Sequence, residues 1–308
     1  MNKNASKILS ILLVLLAAMA APSIFGNIRT AFGAAASGFV AMDSGTDRKL
    51  LSVRGTSSSN VYATGGAGMV LHYDGNAWNR VNVGAHLDLA GVSVRSASDV
   101  VAIGGDGGIF KFDGLSWTAV RNGYQYHLAQ AWSNPANQNI YLAGWRGSLF
   151  MLSNRTLRMI GSDPGYLLYS VWGFSDSDVF VAGTGGNILH YDGMFLKPMK
   201  SGATAHINKL WGASDADMFA VGNGGLILHY DGVSWTPMKN AVKKDLKGVW
   251  GNSHSDVLAV GKQGTILHFD GSTWSRIDSG ADSDLNDIWG TDAGEIFVVG
   301  EKGTILRY

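Results

Sequence analysis

The sequence predicts an all-β protein, a seven-bladed β-propeller of four-stranded blades that is closed by its own N-terminal strand. Three observations lead to this prediction. One sequence repeat recurs seven times, each full copy contains four strand-like segments, and the last copy lacks a fourth segment that the N-terminus can supply. Sequence repeats with periods of about 20–50 residues are typical of solenoids and propellers, and the period of this repeat lies within that range.

The repeat is clearest in the second half of the chain. Trp172, Trp211, Trp250 and Trp289 follow one another at equal intervals. Weaker copies upstream keep the same interval but place other residues in this tryptophan slot: Arg54, Ser93 and Trp132. One inserted residue lengthens only the step from Trp132 to Trp172. The chain therefore contains seven copies.

Each copy contains four short segments typical of strands, of the forms L-x-x-V-W-G, D-V-F-A-V-G, G-T-I-L-H-Y and W-x-x-M. They are rich in β-branched and aromatic residues and are bounded by Gly and Asp, as strands are. The second and third segments are joined by G-x-x-G, which suits a tight hairpin, at 65–68, 104–107, 144–147, 183–186, 222–225, 261–264 and 300–303. Residues 38–308 show no sustained helical period.

The N-terminal segment supplies the missing strand. The last copy ends at Tyr308 after its third segment, whereas residues 38–50 align without gaps on residues 273–285, with Phe39 on Trp274. We therefore expect residues 38–43 to form the outer strand of the seventh blade. A ring closed in this way exposes few sheet edges, and we expect a single propeller domain over 38–308.

The segment 1–22 has the pattern of a secretory signal peptide. Lys3 and Lys7 precede an apolar run over 8–21, and the small residues around Met19 offer a cleavage site. We expect a signal peptide at 1–22, a linker at 23–37 and export to the periplasm, cell surface or outside, with no membrane insertion after cleavage. An uncleaved anchor is the alternative, although Pro22 interrupts the run.

The composition narrows the function classes. The chain carries 24 basic and 24 acidic residues, and this balance gives no long-range attraction for nucleic acid. It has no cysteine, which excludes disulfides and thiolate chemistry. Only Glu295 and Glu301 of the 24 acidic residues are glutamate, so most acidic residues suit turn capping rather than catalysis.

These repeats resemble bacterial propellers of the Asp-box (BNR) and photosystem II assembly-factor type, and the WG-x-x-SDVFAVG-x-x-GTILHYDG-x-x-W repeat proteins of environmental bacteria. The nearest motif to an Asp-box is the segment 270–274, Asp-Gly-Ser-Thr-Trp, which has one residue fewer between Asp and Gly than the usual box. The resemblance covers 38–308 and implies a binding or assembly role outside the cytoplasm. It also motivates an alternative, a sialidase-like hydrolase or a lectin.

We expect no catalytic residues, no cofactor and no metal site. No set of three arginines recurs at matching blade positions, and no pair of opposed carboxylates stands out as hydrolysis would require. Four histidines share one slot in different blades, where we expect blade-to-blade hydrogen bonds: His72, His190, His229 and His268. Seven polar residues precede the second strands, where we expect turn capping rather than calcium binding: Asn60, Asp99, Asn139, Asp178, Asp217, Asp256 and Glu295.

The tryptophans of the repeat lie on the predicted inner strands. They could form an aromatic ring that stacks a ligand near the channel. Packing between blades is the interpretation we favour, because large aromatics provide much of the buried area in such seams.

The candidate binding site is the place where the repeat fails. The turn of the third copy carries Trp145 and Arg146, where other copies have small or polar residues. Neighbouring loops on the same predicted face add four aromatic or imidazole side chains: Tyr124, Tyr126, His127 and Tyr166. Aromatic residues and arginine are enriched in binding hot spots. We therefore expect this face of blades 2–4 to bind a protein or a glycan; the alternative is a degenerate blade whose aromatics cover its own loop.

Overall fold

The computed structural model describes residues 38–308, and they form seven four-stranded antiparallel sheets. The first strands of successive blades pack side by side, and the first strand of blade 7 packs against that of blade 1. The ring is therefore closed, and the predicted seven-bladed propeller is confirmed. The predicted signal peptide and linker lie outside the described residues. Within 38–308 no helix is long and apolar enough to cross a membrane.

The strands are numbered in chain order, and β1 belongs to blade 7. The blades comprise β2 (Leu50–Ser57), β3 (Asn60–Gly65), β4 (Met69–Tyr73) and β5 (Trp78–Arg80) in blade 1; β6 (Leu89–Ser96), β7 (Asp99–Gly104), β8 (Ile109–Phe112) and β9 (Trp117–Ala119) in blade 2; β10 (Leu128–Ser133), β11 (Ile140–Gly144), β12 (Ser148–Ser153) and β13 (Thr156–Gly161) in blade 3; β14 (Leu168–Ser175), β15 (Asp178–Gly183), β16 (Ile188–Tyr191) and β17 (Leu196–Met199) in blade 4; β18 (Ile207–Ser214), β19 (Asp217–Gly222), β20 (Ile227–Tyr230) and β21 (Trp235–Pro237) in blade 5; β22 (Leu246–Ser253), β23 (Asp256–Gly261), β24 (Thr265–Phe269) and β25 (Trp274–Ile277) in blade 6; β26 (Leu285–Gly290), β27 (Ile296–Gly300), β28 (Ile305–Arg307) and β1 (Val40–Met42) in blade 7.

The G-x-x-G segments form tight turns between the second and third strands, as predicted. In five blades the turn is a single 3₁₀ turn: Gly66–Gly68, Gly105–Gly107, Thr184–Gly186, Asn223–Gly225 and Glu301–Gly303. The third residue of the motif has positive φ even where it is not glycine, as in Arg146 with φ 59° and Gln263 with φ 55°. These turns and the loops between blades contact one another and form one face, which we call the turn face.

Blade 3 departs from the others at its outer hairpin. Asn154 and Arg155 both have positive φ, and Ser153 pairs directly with Thr156, which makes a two-residue turn. The outer strand β13 is consequently six residues long, whereas the other outer strands have three or four.

The N-terminal strand closes the ring in the predicted register. Val40 pairs with Arg307 and Met42 with Ile305 in the antiparallel pair of β1 and β28. Phe39 is buried with its ring centre 5.3 Å from that of Tyr308, and Met42 packs against the core between blades 7 and 1. The β1 strand therefore both pairs with blade 7 and contributes to the closing seam.

The hydrophobic core lies in the seams between blades rather than within single sheets. The cluster at the closing seam, for example, combines Phe297 and Ile305 of blade 7 with Val53 and Trp78 of blade 1. A four-stranded sheet has two apolar faces, so each blade needs a neighbour on both sides.

The expectation of blade-to-blade bonds for the four histidines is wrong. Each histidine Nε2 instead bonds within its own blade to the polar residue at the start of the second strand, as in His190 with Asp178 Oδ1 at 2.7 Å and His229 with Asp217 Oδ1 at 2.7 Å. The antiparallel pairing of the second and third strands places these residues diagonally opposite. The polar residue at the start of the second strand therefore mainly binds a side chain of the third strand, as Glu295 binds Arg307.

The pair Asp176 and Asp178 does not converge on a common centre. The Asp176 carboxylate accepts hydrogen bonds from three side-chain amides of blade 3, at 2.7 to 2.8 Å: Asn134, Asn137 and Asn139. It links blades 3 and 4, while Asp178 binds His190 in its own blade. Residues 38–308 contain no group of three or more metal-ligating His, Cys, Asp or Glu side chains.

Candidate functional site

Five of the six predicted site residues come together at the turn face of blade 3, and we call them the turn cluster: Tyr124, Tyr126, His127, Trp145 and Arg146. Trp145 is 47% exposed. Its backbone N–H donates to the His127 carbonyl at 2.9 Å, and the imidazole centre lies 4.9 Å from its ring centre. The Arg146 guanidinium lies over the Tyr126 ring, 5.2 Å from its centre, which is cation–π geometry.

The two tyrosines pack against the core of the seam between blades 2 and 3. Tyr124 packs edge-on against Phe150 with ring centres 4.8 Å apart, and Tyr126 contacts the same ring at 6.1 Å. These two residues therefore fit the alternative to a binding role, in which the aromatic side chains cover their own loop. They form a half-buried base beside the exposed side chains of Trp145 and Arg146.

The G-x-x-G turn of blade 3 lacks a backbone hydrogen bond that four other blades have. In blades 1, 4, 5 and 6 the amide of the third G-x-x-G residue is bound by the residue that precedes the next blade, for example Gly224 N–H to Asp245 Oδ1 at 2.9 Å. At the corresponding position Leu167 follows blade 3 and has no acceptor. Within residues 38–308 the Arg146 amide has no hydrogen-bond partner.

Burial lowers the pKa of His127, although the carboxylates of Asp88 and Asp106 oppose this shift. The imidazole beside Trp145 is therefore neutral at pH 7 and contributes a flat ring rather than a charge. Arg146 is then the cation of the cluster, and its guanidinium remains charged at all physiological pH values.

Tyr166 lies apart from the turn cluster. It lines a groove of about 350 Å³ between the end of β13 and the outer hairpin of blade 4. Met194 and Phe195 border this groove and are 75% and 56% exposed. The sequence predicts Tyr166 on the same face, but the structure places it with these outer side chains.

The central channel was not among the predicted site residues, and it contains a layer of indoles. Each tryptophan of the repeat is followed, one blade later, by glycine in the adjoining slot. A Cβ at Gly290 would lie 2.7 Å from the Trp250 ring, and one at Gly251 would lie 2.6 Å from that of Trp211. The favoured packing role of the tryptophans therefore agrees with their contacts, since four of the five indoles reach over the glycine of the next blade, whereas Phe174 and Met218 lie at Gly212.

Two slots lack tryptophan, and there the glycine is absent too. Arg54 is followed in blade 2 by Val94, and Ser93 is followed in blade 3 by Ser133, whose hydroxyl bonds to that of Ser93. The space that indoles fill elsewhere is partly empty at this end of the channel. A cavity of about 180 Å³ lies there, bordered among others by Arg54, Ser93, Ser133, Trp132, Trp172 and Trp289.

A second layer of polar side chains blocks the channel two residues before the tryptophan slot. Asp287 is fully buried, and its Oδ2 accepts hydrogen bonds from Ser52 Oγ at 3.0 Å and Arg54 Nη1 at 2.9 Å. Lys209 of blade 5 reaches Asp287 Oδ1 of blade 7 at 3.0 Å. The residue between them in blade 6 is Gly248, which has no side chain to obstruct this contact.

Burial lowers the pKa of Lys209 to about 8, despite the nearby Asp287 carboxylate. Burial raises the pKa of Asp287, but the charges of Arg54 and Lys209 outweigh it and the net shift is downward. At pH 7 all three groups are therefore charged. In the sequence, this layer corresponds to one position of the repeat at which neighbouring copies always differ: Ser52, Gly91, Gln130, Ser170, Lys209, Gly248 and Asp287.

No family model and no curated protein matches this sequence. Solved structures with a similar fold include "YCF48 bound to D1 peptide", with a TM-score of 0.76 and 14% identity over 89% of this chain and 98% of that chain. The WD40 propeller domain of Doa1 has a TM-score of 0.76 and 15% identity over 88% and 96%. YCF48 from Cyanidioschyzon merolae has a TM-score of 0.73 and 15% identity over 88% and 99%. At these identities the likeness shows the propeller fold alone.

Proposed function

We propose that this chain is an exported, non-catalytic propeller that binds a protein partner through the turn cluster at blade 3. The observation that carries the proposal is the Trp145 indole, which is 47% exposed yet held against His127. An exposed indole that is already ordered loses little conformational freedom on binding. Trp and Arg are also the residue types most enriched in interface hot spots.

The cluster offers three kinds of contact within one turn. The Trp145 ring supplies an apolar surface, the Arg146 guanidinium supplies paired donors, and the unpaired Arg146 amide supplies one more. A guanidinium binds carboxylates in a bidentate manner. We infer that the partner presents an apolar side chain and a neighbouring Asp, Glu or chain-terminal carboxylate.

A non-catalytic role is supported by the use of the aspartates. Asp192, Asp231 and Asp270 each accept two backbone N–H bonds from the residues two and three positions ahead. This is turn chemistry that repeats from blade to blade. Export is supported by the basic and apolar pattern of residues 1–22, and a protein partner by a propeller of similar fold described as bound to a peptide.

The proposal can be tested with a double variant, Trp145→Ala with Arg146→Ala, and with a photo-cross-linking residue placed at 145 in the native host. The expected result is a discrete cross-linked protein whose capture falls at least tenfold when Arg146 is also replaced by Ala. Thermal unfolding should be unchanged, because both side chains lie at the surface.

The repeat provides a matched control at the same turn of blade 6. Lys262→Ala with Gln263→Ala removes two side chains at equivalent positions, and a cross-linker at 262 should capture nothing specific. Equal capture from both turns contradicts the proposal. A glycan array that is bound by the wild type and silent for the Trp145 and Arg146 variant would replace the protein partner with a glycan.

A further inference from the structure

The indole-lined end of the channel contains a cavity that the proposed protein-binding face does not use. Its volume is about 180 Å³. An apolar protein cavity of about 150 Å³ can hold a benzene ring. Trp172 and Trp289 at its border are only half-buried, so the cavity is open to solvent on this side. Its size suits a ligand with one ring or a short alkyl chain.

Arg54, which lines the cavity, belongs to a charged group of three side chains with an excess of positive charge. Arg54 and Lys209 share the single carboxylate of Asp287, at 2.9 and 3.0 Å. Burial lowers the pKa of Lys209 to about 8, so the lysine is mainly protonated at pH 7. The buried Lys209 and the partly buried Arg54 share one buried carboxylate, which leaves one positive charge in excess where the dielectric constant is low.

The free hydrogen-bonding groups at this end of the channel are donors. All the hydrogen bonds of Arg54 are made by Nη1, so Nε and Nη2 have no partner among residues 38–308. The buried Gln130 accepts from the Val171 N–H through Oε1, while its amide nitrogen makes no hydrogen bond in the same part of the chain. The Trp172 indole N–H is also buried without a partner among the described residues.

We propose that this cavity binds a small organic carboxylate, whose apolar body lies among the indoles and whose carboxylate faces Arg54. The carboxylate neutralises the unpaired charge and accepts from the free donors, and the ring or alkyl chain replaces solvent against Trp132, Trp172 and Trp289. Aromatic rings alone would also attract a cation, but the net positive charge of the three channel residues repels one.

The repeat itself explains why a cavity lies at this end of the channel. The seams between blades 1 and 2 and between blades 2 and 3 lack the tryptophan and glycine pair that fills the other seams. Restoring that pair should therefore fill the site without disturbing the fold. The double variant Ser93→Trp with Ser133→Gly reproduces the pairing of Trp132 with Gly173 one seam earlier.

The experiment is a calorimetric titration of the propeller with benzoate, benzamide, benzylamine and sulfate, with tryptophan fluorescence as a second readout. Benzoate should bind and perturb the fluorescence, and each of the other three should bind at least tenfold more weakly. Arg54→Leu should lower benzoate affinity at least tenfold, and Ser93→Trp with Ser133→Gly should abolish binding while the melting temperature is maintained.

Equal affinity for benzoate and benzamide, or for benzoate and sulfate, would overturn the proposal because recognition would then ignore the charge or the apolar body. Binding that survives in Ser93→Trp with Ser133→Gly would place the ligand elsewhere. If this double variant fails to fold, Arg54→Leu alone decides, and undiminished benzoate affinity would reject the site. None of these results bears on the turn cluster, which lies outside the channel.

Discussion

Five seams of the propeller differ from two others in a pair of residues. Blades 3 to 7 each carry a tryptophan, and the next blade has glycine in the adjoining slot, as in Trp250 and Gly290. Blades 1 and 2 have Arg54 and Ser93 instead, and Val94 and Ser133 stand in the glycine slots. The tryptophan and the glycine therefore occur together or are both absent, and we call the pair the tryptophan and glycine unit.

The two sets of seams differ in what fills the space between neighbouring blades. Where the tryptophan and glycine are present, large apolar side chains lie against the glycine, the indole in four seams and Phe174 with Met218 at Gly212. Where they are missing, polar side chains occupy the channel and space remains. The departures from the repeat in blades 1–3 therefore include both the channel cavity and the exposed Trp145.

The largest effect is expected from removing the strand that closes the ring. A chain that begins at Ser44 lacks β1, exposes the edge of β28 and loses Phe39 and Met42 from the seam. We expect it to aggregate or to melt without a cooperative transition in calorimetry. Phe39→Ala alone should cost about 3–5 kcal/mol. A chain that begins at Ser37 is the control, and comparable melting of the Ser44 and Ser37 chains would refute the role of β1.

A smaller effect is expected from replacing Asp287, whose carboxylate binds the Arg54 that stands in the tryptophan slot of blade 1. Asp287→Asn leaves the buried Lys209 and the partly buried Arg54 with only a neutral partner, and breaking a buried ion pair in this way costs about 3–5 kcal/mol. Denaturant unfolding measures this loss. Adding Lys209→Met should recover part of it, because one buried charge is then removed. A single variant within about 1 kcal/mol of wild type would mean that the triad carries no such strain.

The smallest effect tests the tryptophan and glycine unit directly. Gly290→Ala places a methyl group where the Trp250 ring lies, and overpacking of this kind costs about 1–3 kcal/mol. Ser133→Ala at the equivalent slot of blade 3 loses one hydroxyl bond and should cost about 1 kcal/mol or less. Chemical denaturation of both variants measures the contrast. Trp250→Phe combined with Gly290→Ala should be less destabilising than the sum of the two, and strict additivity would argue against the clash.

The parts of the fold that depend on local pattern could be predicted from the sequence. The number of blades, the G-x-x-G hairpins and the register of β1 followed from the regular spacing of the repeat, the glycines and the alignment of Phe39 on Trp274. These three features depend on residues that are close in sequence or that recur in every copy. The structure of one copy of the repeat therefore predicts that of the next copy.

The candidate site could be predicted only in part. The repeat failure at Trp145 and Arg146 located the turn cluster, because an aberrant turn is visible in an alignment of copies. The sequence did not indicate that Tyr166 lines a groove together with Met194 and Phe195, because residues of two blades meet there only in the folded chain. The histidine partners were also missed, because a bond between neighbouring strands depends on sheet register.

The sequence by itself determined that this protein is a ring of seven blades with a closing strand, because a repeat that cannot bury both faces alone must stack and close. Only the tertiary structure decided what occupies the centre of that ring. Lys209 and Asp287 belong to different copies of the repeat, and their contact exists because ring closure brings blades 5 and 7 to one axis past Gly248. The seven-fold arrangement predicts where the channel lies, but the individual side chains decide whether it is filled, charged or open.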